Sequence, residues 1–138
     1  MSDRAAARGV VVGHGEMANG LVSAVRRIAG DAAGALHAVS NEGKSPELLR
    51  DEIDKIAGDE PVVIFVDLST GSCGMAALSC CRNRERRVLV GGVNLPMLLY
   101  FVFHRDEPLA ELAARSIERG RAAIDQPLRP DRPARASG

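Results

Sequence analysis

At 138 residues, 46% of them hydrophobic, the chain is long enough to bury one core without disulfide or metal staples and reads as one principal domain. Aromatic residues are only 3% and Trp is absent, so that core must be built from Val, Leu, Ile and Ala. Eighteen basic residues cancel eighteen acidic ones, which argues against a general nucleic-acid binder, and three Cys, an odd number, argue against a disulfide framework.

In chain order, GVVVG (residues 9–13) reads as a buried strand. Ala18, Leu21, Val22, Val25, Ile28 and Ala29 then recur at helical spacing, and Gly30 supplies a stop. ALHAV (35–39) is a weaker strand signal. SPELLRDEIDKIAG is a helix with Ser45 as N-cap, Pro46 in the first position, Gly58 at the end, and a buried stripe of Leu48, Leu49, Ile53, Ile56 and Ala57. PVVIFVDL (61–68) has no polar alternation, the pattern of a strand covered on both faces. A small-residue helix over 72–83, a strand over 87–93, a helix from Pro96 to Phe103 and a helix over 109–124 complete the series.

This βαβα alternation predicts an α/β fold: an open, mostly parallel sheet with helices on both faces, in a flavodoxin-like three-layer arrangement. The domain is expected to end near residue 126. Residues 127–138 (PLRPDRPARASG), with three Pro, three Arg and no apolar stripe, read as a flexible tail. The first nine residues are polar and Ala-rich, unlike a signal peptide, and no apolar run approaches the roughly 20 residues of a membrane span. The apolar run PMLLYFVF is short and is closed by Arg105 and Asp106. A reduced, soluble, cytoplasmic protein is the expectation.

The chemistry concentrates where strands give way to helices. His14 stands between two glycines in VVVGHGEMANGL, at the carboxyl end of the first strand and before a helix amino terminus, a place that favours anions. Asp67 ends the VVIFV strand. In an open parallel sheet such strand ends line the ligand crevice. A carboxylate that accepts the Nδ1–H of a histidine fixes its tautomer and leaves Nε2 free as a nucleophile. The following STGSCG loop offers Ser69, Thr70 and Ser72 hydroxyls and backbone N–H groups that can cradle phosphoryl oxygens. The same residues also allow a plainer account, a turn with a solvated imidazole and Asp67 as a helix cap.

Three segments resemble the enzyme IIA component of the mannose-type sugar phosphotransferase system. VVVGHGEMANGL is similar to the segment around that family's phosphorylated histidine, here His14. VVIFVDLSTGS is similar to the strand and loop with its aspartate, here Asp67. VLVGGVNLPML resembles its Gly-Val-Asn-Leu/Ile-Pro-Met segment, here Gly92 to Leu98. The resemblance spans about residues 9–125. It implies a phosphoryl relay in which a histidine-phosphorylated carrier protein donates to Nε2 of His14, and the group then passes to a IIB component for sugar uptake through a permease. Gly15, Ser69, Thr70, Gly71 and Ser72 are the implied phosphoryl-binding residues. It implies no metal or nucleotide cofactor, and the chain lacks a G-x-x-x-x-G-K-[ST] loop. It also implies a homodimer, which the apolar PMLLYFVF segment independently suggests.

The loop departs from the family pattern. Where the family usually has Gly-Gly-Ser/Thr-Pro, often followed by Phe-Asn, this chain has Thr70-Gly71-Ser72-Cys73-Gly74-Met75. Thr70 requires a backbone that avoids positive φ, and Gly74 is expected to loosen the loop or helix start. With no IIB domain attached, this departure leaves room for a second function: a regulatory phosphoprotein that uses the same histidine to report phosphorylation state to a protein partner. A small hydrolase or mutase is a third, with Glu16 as the nearest candidate acid, although Glu16 is better read as a first-turn charge. Cys73, Cys80 and Cys81 lack zinc-pair spacing and read as small packing residues. His37 falls within a strand, and His104 at a helix carboxyl end reads as structural. RNRERR (82–87) reads as a solvated basic loop, or else as a docking patch for an acidic partner.

Overall fold

The structure is a computed structural model, and it describes residues 5–128. Most of the segment read as a tail, residues 129–138, lies outside the described residues. Four strands form one sheet: β1 (Arg8–Gly13), β2 (Leu36–Ser40), β3 (Val62–Val66) and β4 (Arg87–Gly91). Five helices follow or separate them: α1 (Met17–Ala29), α2 (Pro46–Ala57), α3 (Ser72–Cys81), α4 (Leu95–Phe103) and α5 (Leu109–Ala122). The sheet order is β2-β1-β3-β4 and every pairing is parallel. The α/β class and the parallel sheet with helices on both faces are as expected.

The pleat explains the two cores. Val11, Val63 and Phe65 point to one face, against Ala18, Val22 and Val25 of α1, Leu98 and Phe101 of α4 and Leu112 of α5. Val10, Val12, Ile64 and Val66 point to the other, against Leu49 and Ile53 of α2 and Cys73, Ala77 and Cys80 of α3. The register sets Val11 beside Phe65 and Val12 beside Val66, so the two faces stay separate across the sheet. Because both faces are covered, β1 and β3 carry no polar alternation, which is why they are so plain in the sequence.

From β1 the chain moves outward to β2, then crosses back over β1 to β3 and on to β4. Right-handed crossovers force this reversal to move the helices to the other face, α1 on one side and α2 and α3 on the other. The reversal leaves a switch point between β1 and β3, and both strands end there at the same level.

Local details refine the sequence reading. Ser45 caps α2 as expected, accepting the Leu48 N–H at 3.1 Å, with Pro46 in the first turn and Gly58 after the last. Leu48 and Ile28 are exposed, however, and not part of the buried stripes: in α2 the core-facing row is Leu49, Ile53 and Ala57, four residues apart. A 3₁₀ segment (Gly30–Ala35) that the sequence pattern did not signal delays β2 by one residue. The helix read over 72–83 ends at Cys81, that over 109–124 ends at Ala122, and the strand read over 87–93 ends at Gly91. The run PMLLYFVF becomes α4, whose Met97, Leu98, Tyr100, Phe101 and Val102 are buried in the chain's own core, with only Phe103 strongly exposed at its end. Phe101 meets Phe65 edge to face at 5.2 Å between ring centres. Asn94 caps α4 through the Met97 N–H and donates to the Gly120 carbonyl of α5. His104 stands at the α4 carboxyl end, its ring stacked on Tyr100 and its Nδ1 2.7 Å from the Tyr100 carbonyl, the structural role expected.

Arg87 departs most from expectation. It does not belong to the exposed basic turn of Arg82–Arg86 but is buried at the start of β4. Its guanidinium donates to the Asp54 carboxylate at 2.5 Å, the Cys80 carbonyl at 2.9 Å and the Gly58 carbonyl at 2.8 Å. One side chain thus ties the carboxyl ends of α2 and α3 to the sheet, and it holds the half-exposed Asp54 carboxyl below its usual pKa. Arg87→Ala leaves two carbonyls without their donor and is expected to cost roughly 2–4 kcal/mol in urea unfolding. Asp54→Ala, at a half-exposed partner, is expected to cost about 1 kcal/mol or less in the same measurement.

Candidate active site

Gly13 ends β1 and Val66 ends β3, so the next residues, His14 and Asp67, emerge side by side at the switch point. Asp67 Oδ2 accepts two hydrogen bonds from His14, from the backbone N–H at 2.9 Å and from Nδ1 at 2.7 Å. Its Oδ1 accepts the Leu68 N–H at 2.8 Å. The acceptor is a carboxylate, so the ring proton belongs on Nδ1 and the Nε2 lone pair is left uncommitted. The Asp67 side chain is 8% exposed, whereas that of His14 is 44% exposed. Burial is the strongest influence on Asp67 and pushes its carboxyl up, but the hydrogen bonds from His14 and Leu68 and the nearness of the His14 ring outweigh it, so its pKa lies below the ordinary value. Asp67 is not a cap for α3: Gly71 takes that position and no side chain caps the helix.

The turn that carries His14 is fixed from its other side. Gly15 has φ +56°, its N–H donates to Asn41 Oδ1 at 3.2 Å, and its carbonyl accepts the Ser40 hydroxyl at 2.8 Å. The Asn41 N–H in turn donates to the Gly13 carbonyl. Gly15, which the resemblance implies as a phosphoryl-binding residue, thus has its N–H engaged with the end of β2. Ser40 and Asn41 were missed by sequence reasoning because the β2 signal is weak and the pairing that brings them to Gly15 is tertiary. Glu16 is exposed and precedes the first turn of α1 instead of lying within it.

The loop after Asp67 completes the site. Gly71 lies against the imidazole: a Cβ there would sit 3.4 Å from Cε1 and 3.8 Å from Nε2 of His14. The helix that Gly71 caps therefore begins beside the open nitrogen, with the unpaired N–H groups of its first turn. Thr70 and Ser72 are exposed, and Ser72 lines a groove with Pro46, Glu47 and Arg50 of α2. Ser69 is also exposed, but it packs on Gly91 at the end of β4. Thr70 has no positive φ, so its replacement of glycine is without strain. Gly74 does not act as a loosening residue. A Cβ there would fall inside the Ser69 carbonyl group and 2.6 Å from the Leu68 carbonyl oxygen, so its lack of a side chain lets the loop lie directly on α3. Cys73, read as a packing residue, is fully buried in the α2–α3 core, yet its sulfur lies within 4.8 Å of ligand atoms of both His14 and Asp67. Burial, and then the Asp67 charge, push its thiol pKa up. His37 is exposed on β2, and Cys80 and Cys81 lie at the far end of α3.

Comparison with known proteins follows this geometry. Over residues 9–118 the sequence matches the family EIIA-man, described as PTS system fructose IIA component. No curated protein matches the chain. Among solved structures, the mannose/sorbose specific IIA subunit of the phosphotransferase system from Enterococcus faecalis is similar, with a TM-score of 0.80 and 22% identity, over 94% of this chain and 100% of that one. Phosphotransferase system component EIIA from Streptococcus agalactiae has a TM-score of 0.76 and 24% identity over 86% of this chain and 95% of that one. A sigma-54 interaction domain protein from Enterococcus faecalis shares the fold, with a TM-score of 0.71 and 11% identity over 87% of this chain and 94% of that one.

Two outcomes are expected of this geometry. Gly74→Ala must lift the 68–69 backbone off α3 and is expected to cost about 1–3 kcal/mol in denaturant unfolding. The pH dependence of Asp67 follows from its lowered pKa: its contribution to stability is complete above the unfolded value of about 4 and is lost as pH falls through the folded value. Urea unfolding of wild type and Asp67→Asn should therefore differ at neutral pH, and the difference should shrink as pH falls below the unfolded carboxylate value of about 4 and through the lower folded one.

Proposed function

The chain belongs to the family of IIA components of the sugar phosphotransferase system, which implies phosphoryl transfer, and from that premise we propose that it is a phosphocarrier with His14 as its acceptor. The observation that carries this reading is the single carboxylate oxygen of Asp67 bound to both the backbone N–H and Nδ1 of His14, with the other ring nitrogen turned to an open rim. The donor is a histidine-phosphorylated carrier protein. The Nε2 lone pair attacks its phosphorus, a new N–P bond forms, and the donor imidazole leaves with the electron pair of the broken bond. His14 becomes cationic as it takes the group, and Asp67, hydrogen-bonded to Nδ1–H, offsets that charge. Gly71 leaves room beside the ring, and Thr70, Ser72 and the first-turn N–H groups of α3 receive the phosphoryl oxygens. A IIB component then takes the group by the reverse sequence; the homodimer we propose rests on the family alone, because PMLLYFVF is buried in the chain's own core. Among the described residues no helix is long and apolar enough to cross a membrane.

The altered Thr70–Met75 loop supports a second reading, in which the same phosphorylated histidine reports to a regulatory partner and no permease is fed. Onward transfer to a IIB component separates the two: a relay member gives up its label to IIB, a reporter retains it.

After incubation with phosphorylated carrier protein, wild type should acquire acid-labile phosphate and His14→Ala none. Label that persists on His14→Ala would sink the site assignment. Asp67→Asn should fold but label roughly 10–10³-fold more slowly, less than the ~10⁴ of a wholly buried carboxylate–histidine pair, because the His14 ring of this pair is exposed to solvent. Quench-flow labelling read by mass spectrometry checks both.

A further inference from the structure

Cys73 is the part of this site that phosphoryl transfer does not use. Among the described residues, His14, Asp67 and Cys73 present an imidazole nitrogen, a carboxylate oxygen and a sulfur that all lie within 4.8 Å of one another. Asp67 and Cys73 are brought close by the short loop from β3 into α3, and His14 joins them through the pairing of β1 with β3. Four-coordinate zinc holds such atoms at about 2.0 Å for N or O and 2.3 Å for S, hence about 3.3–3.5 Å from one another in a set with one sulfur. The His14 Nδ1–Asp67 distance of 2.7 Å would widen and the contacts to sulfur would close, shifts within reach of an exposed imidazole.

We propose that His14, Asp67 and Cys73 form a site for a zinc-class divalent cation, with the exposed side of His14 as the route in and water as the fourth ligand. A mixed nitrogen, oxygen and sulfur set selects against magnesium and calcium, which prefer all-oxygen shells. The ion binds the Cys73 thiolate, and the thiol proton leaves to solvent. The site is incompatible with acceptor chemistry at His14, a consequence that rests on the phosphocarrier reading. If the ion takes Nε2, it uses the nucleophilic lone pair directly. If it takes Nδ1, the ring proton must move to Nε2, and the lone pair is lost there too. Zinc and the phosphoryl group therefore compete for one imidazole, and Cys73 supplies the sulfur ligand at the position where the resembled family usually has proline.

The test is calorimetric titration of the reduced full-length chain with zinc chloride, and absorption spectra with cobalt chloride. One equivalent of zinc and a thiolate-to-cobalt charge-transfer band are expected. Cys73→Ser should abolish the band, and both it and His14→Gln should weaken zinc binding by at least about tenfold. His14→Gln changes an exposed side chain, so it decides the matter even if Cys73→Ser does not fold. Absence of saturable binding to wild type, or wild-type affinity in either folded variant, overturns the proposal. With phosphorylated carrier protein, saturating zinc should slow labelling of wild type at least about tenfold, and a chelator should restore it. Unchanged labelling of a zinc-loaded chain overturns the competition. A chain that never labels, with or without chelator, overturns the phosphocarrier reading and leaves the metal site to calorimetry.

Discussion

Asp67 holds three hydrogen bonds on two oxygens, and the arrangement at the switch point depends on them. Two come from His14 and one from Leu68, so the carboxylate fixes the ring, the backbone that carries the ring and the start of the loop beside it. Such a cluster is costly unless fully paired, since a buried carboxylate has lost its water. The pairing is complete enough that the carboxyl pKa lies below normal despite burial. Asp67 itself is held from behind, its N–H donating to the Val12 carbonyl of β1. The register between β1 and β3 therefore positions the histidine through the aspartate, and a slip of that pairing would separate them.

The loop after Asp67 is supported by small residues at close approaches. Gly74 admits the backbone of residues 68–69 onto α3, Gly91 admits Ser69 at the end of β4, and Gly71 admits the imidazole. These contacts join three strand ends and one helix start. Changes of residue type along Thr70–Met75 have thus been absorbed without opening the loop: Thr70 avoids positive φ, and Gly74 provides contact in place of slack. Cys73 enters the core at the same point and carries a sulfur atom to the foot of the histidine–aspartate pair.

The opposite end of the sheet is held by a different device. Arg87 gathers the carboxyl ends of α2 and α3, and Arg8 adds a bond from its guanidinium to the Ala57 carbonyl. Helix carboxyl ends carry partial negative charge, so arginine suits this end as free N–H groups suit an anion at the other.

The sequence by itself determined the class of fold, because strands buried on both faces must be uninterrupted runs of Val, Ile and Phe, and helices packed on one side must show a stripe. GVVVG, VVIFV and the capped SPELLRDEIDKIAG segment satisfied those demands locally, and so did the placement of His14 and Asp67 at strand ends. Their placement also suggested that the two act together, and resemblance added the phosphoryl role. What no local pattern contains is which strands are neighbours. Only the order β2-β1-β3-β4 puts His14 beside Asp67 and Cys73 and brings Asn41 to the Gly15 amide. Arg87 reads as one more charge in a basic run and becomes buried only because α2 and α3 end around it. Leu48 and Ile28 read as apolar, but the direction of each helix face is decided by the surface it packs on. Periodicity is a property of neighbouring residues and is written in the chain; pairing across fifty residues is a property of the sheet and exists only once it has formed.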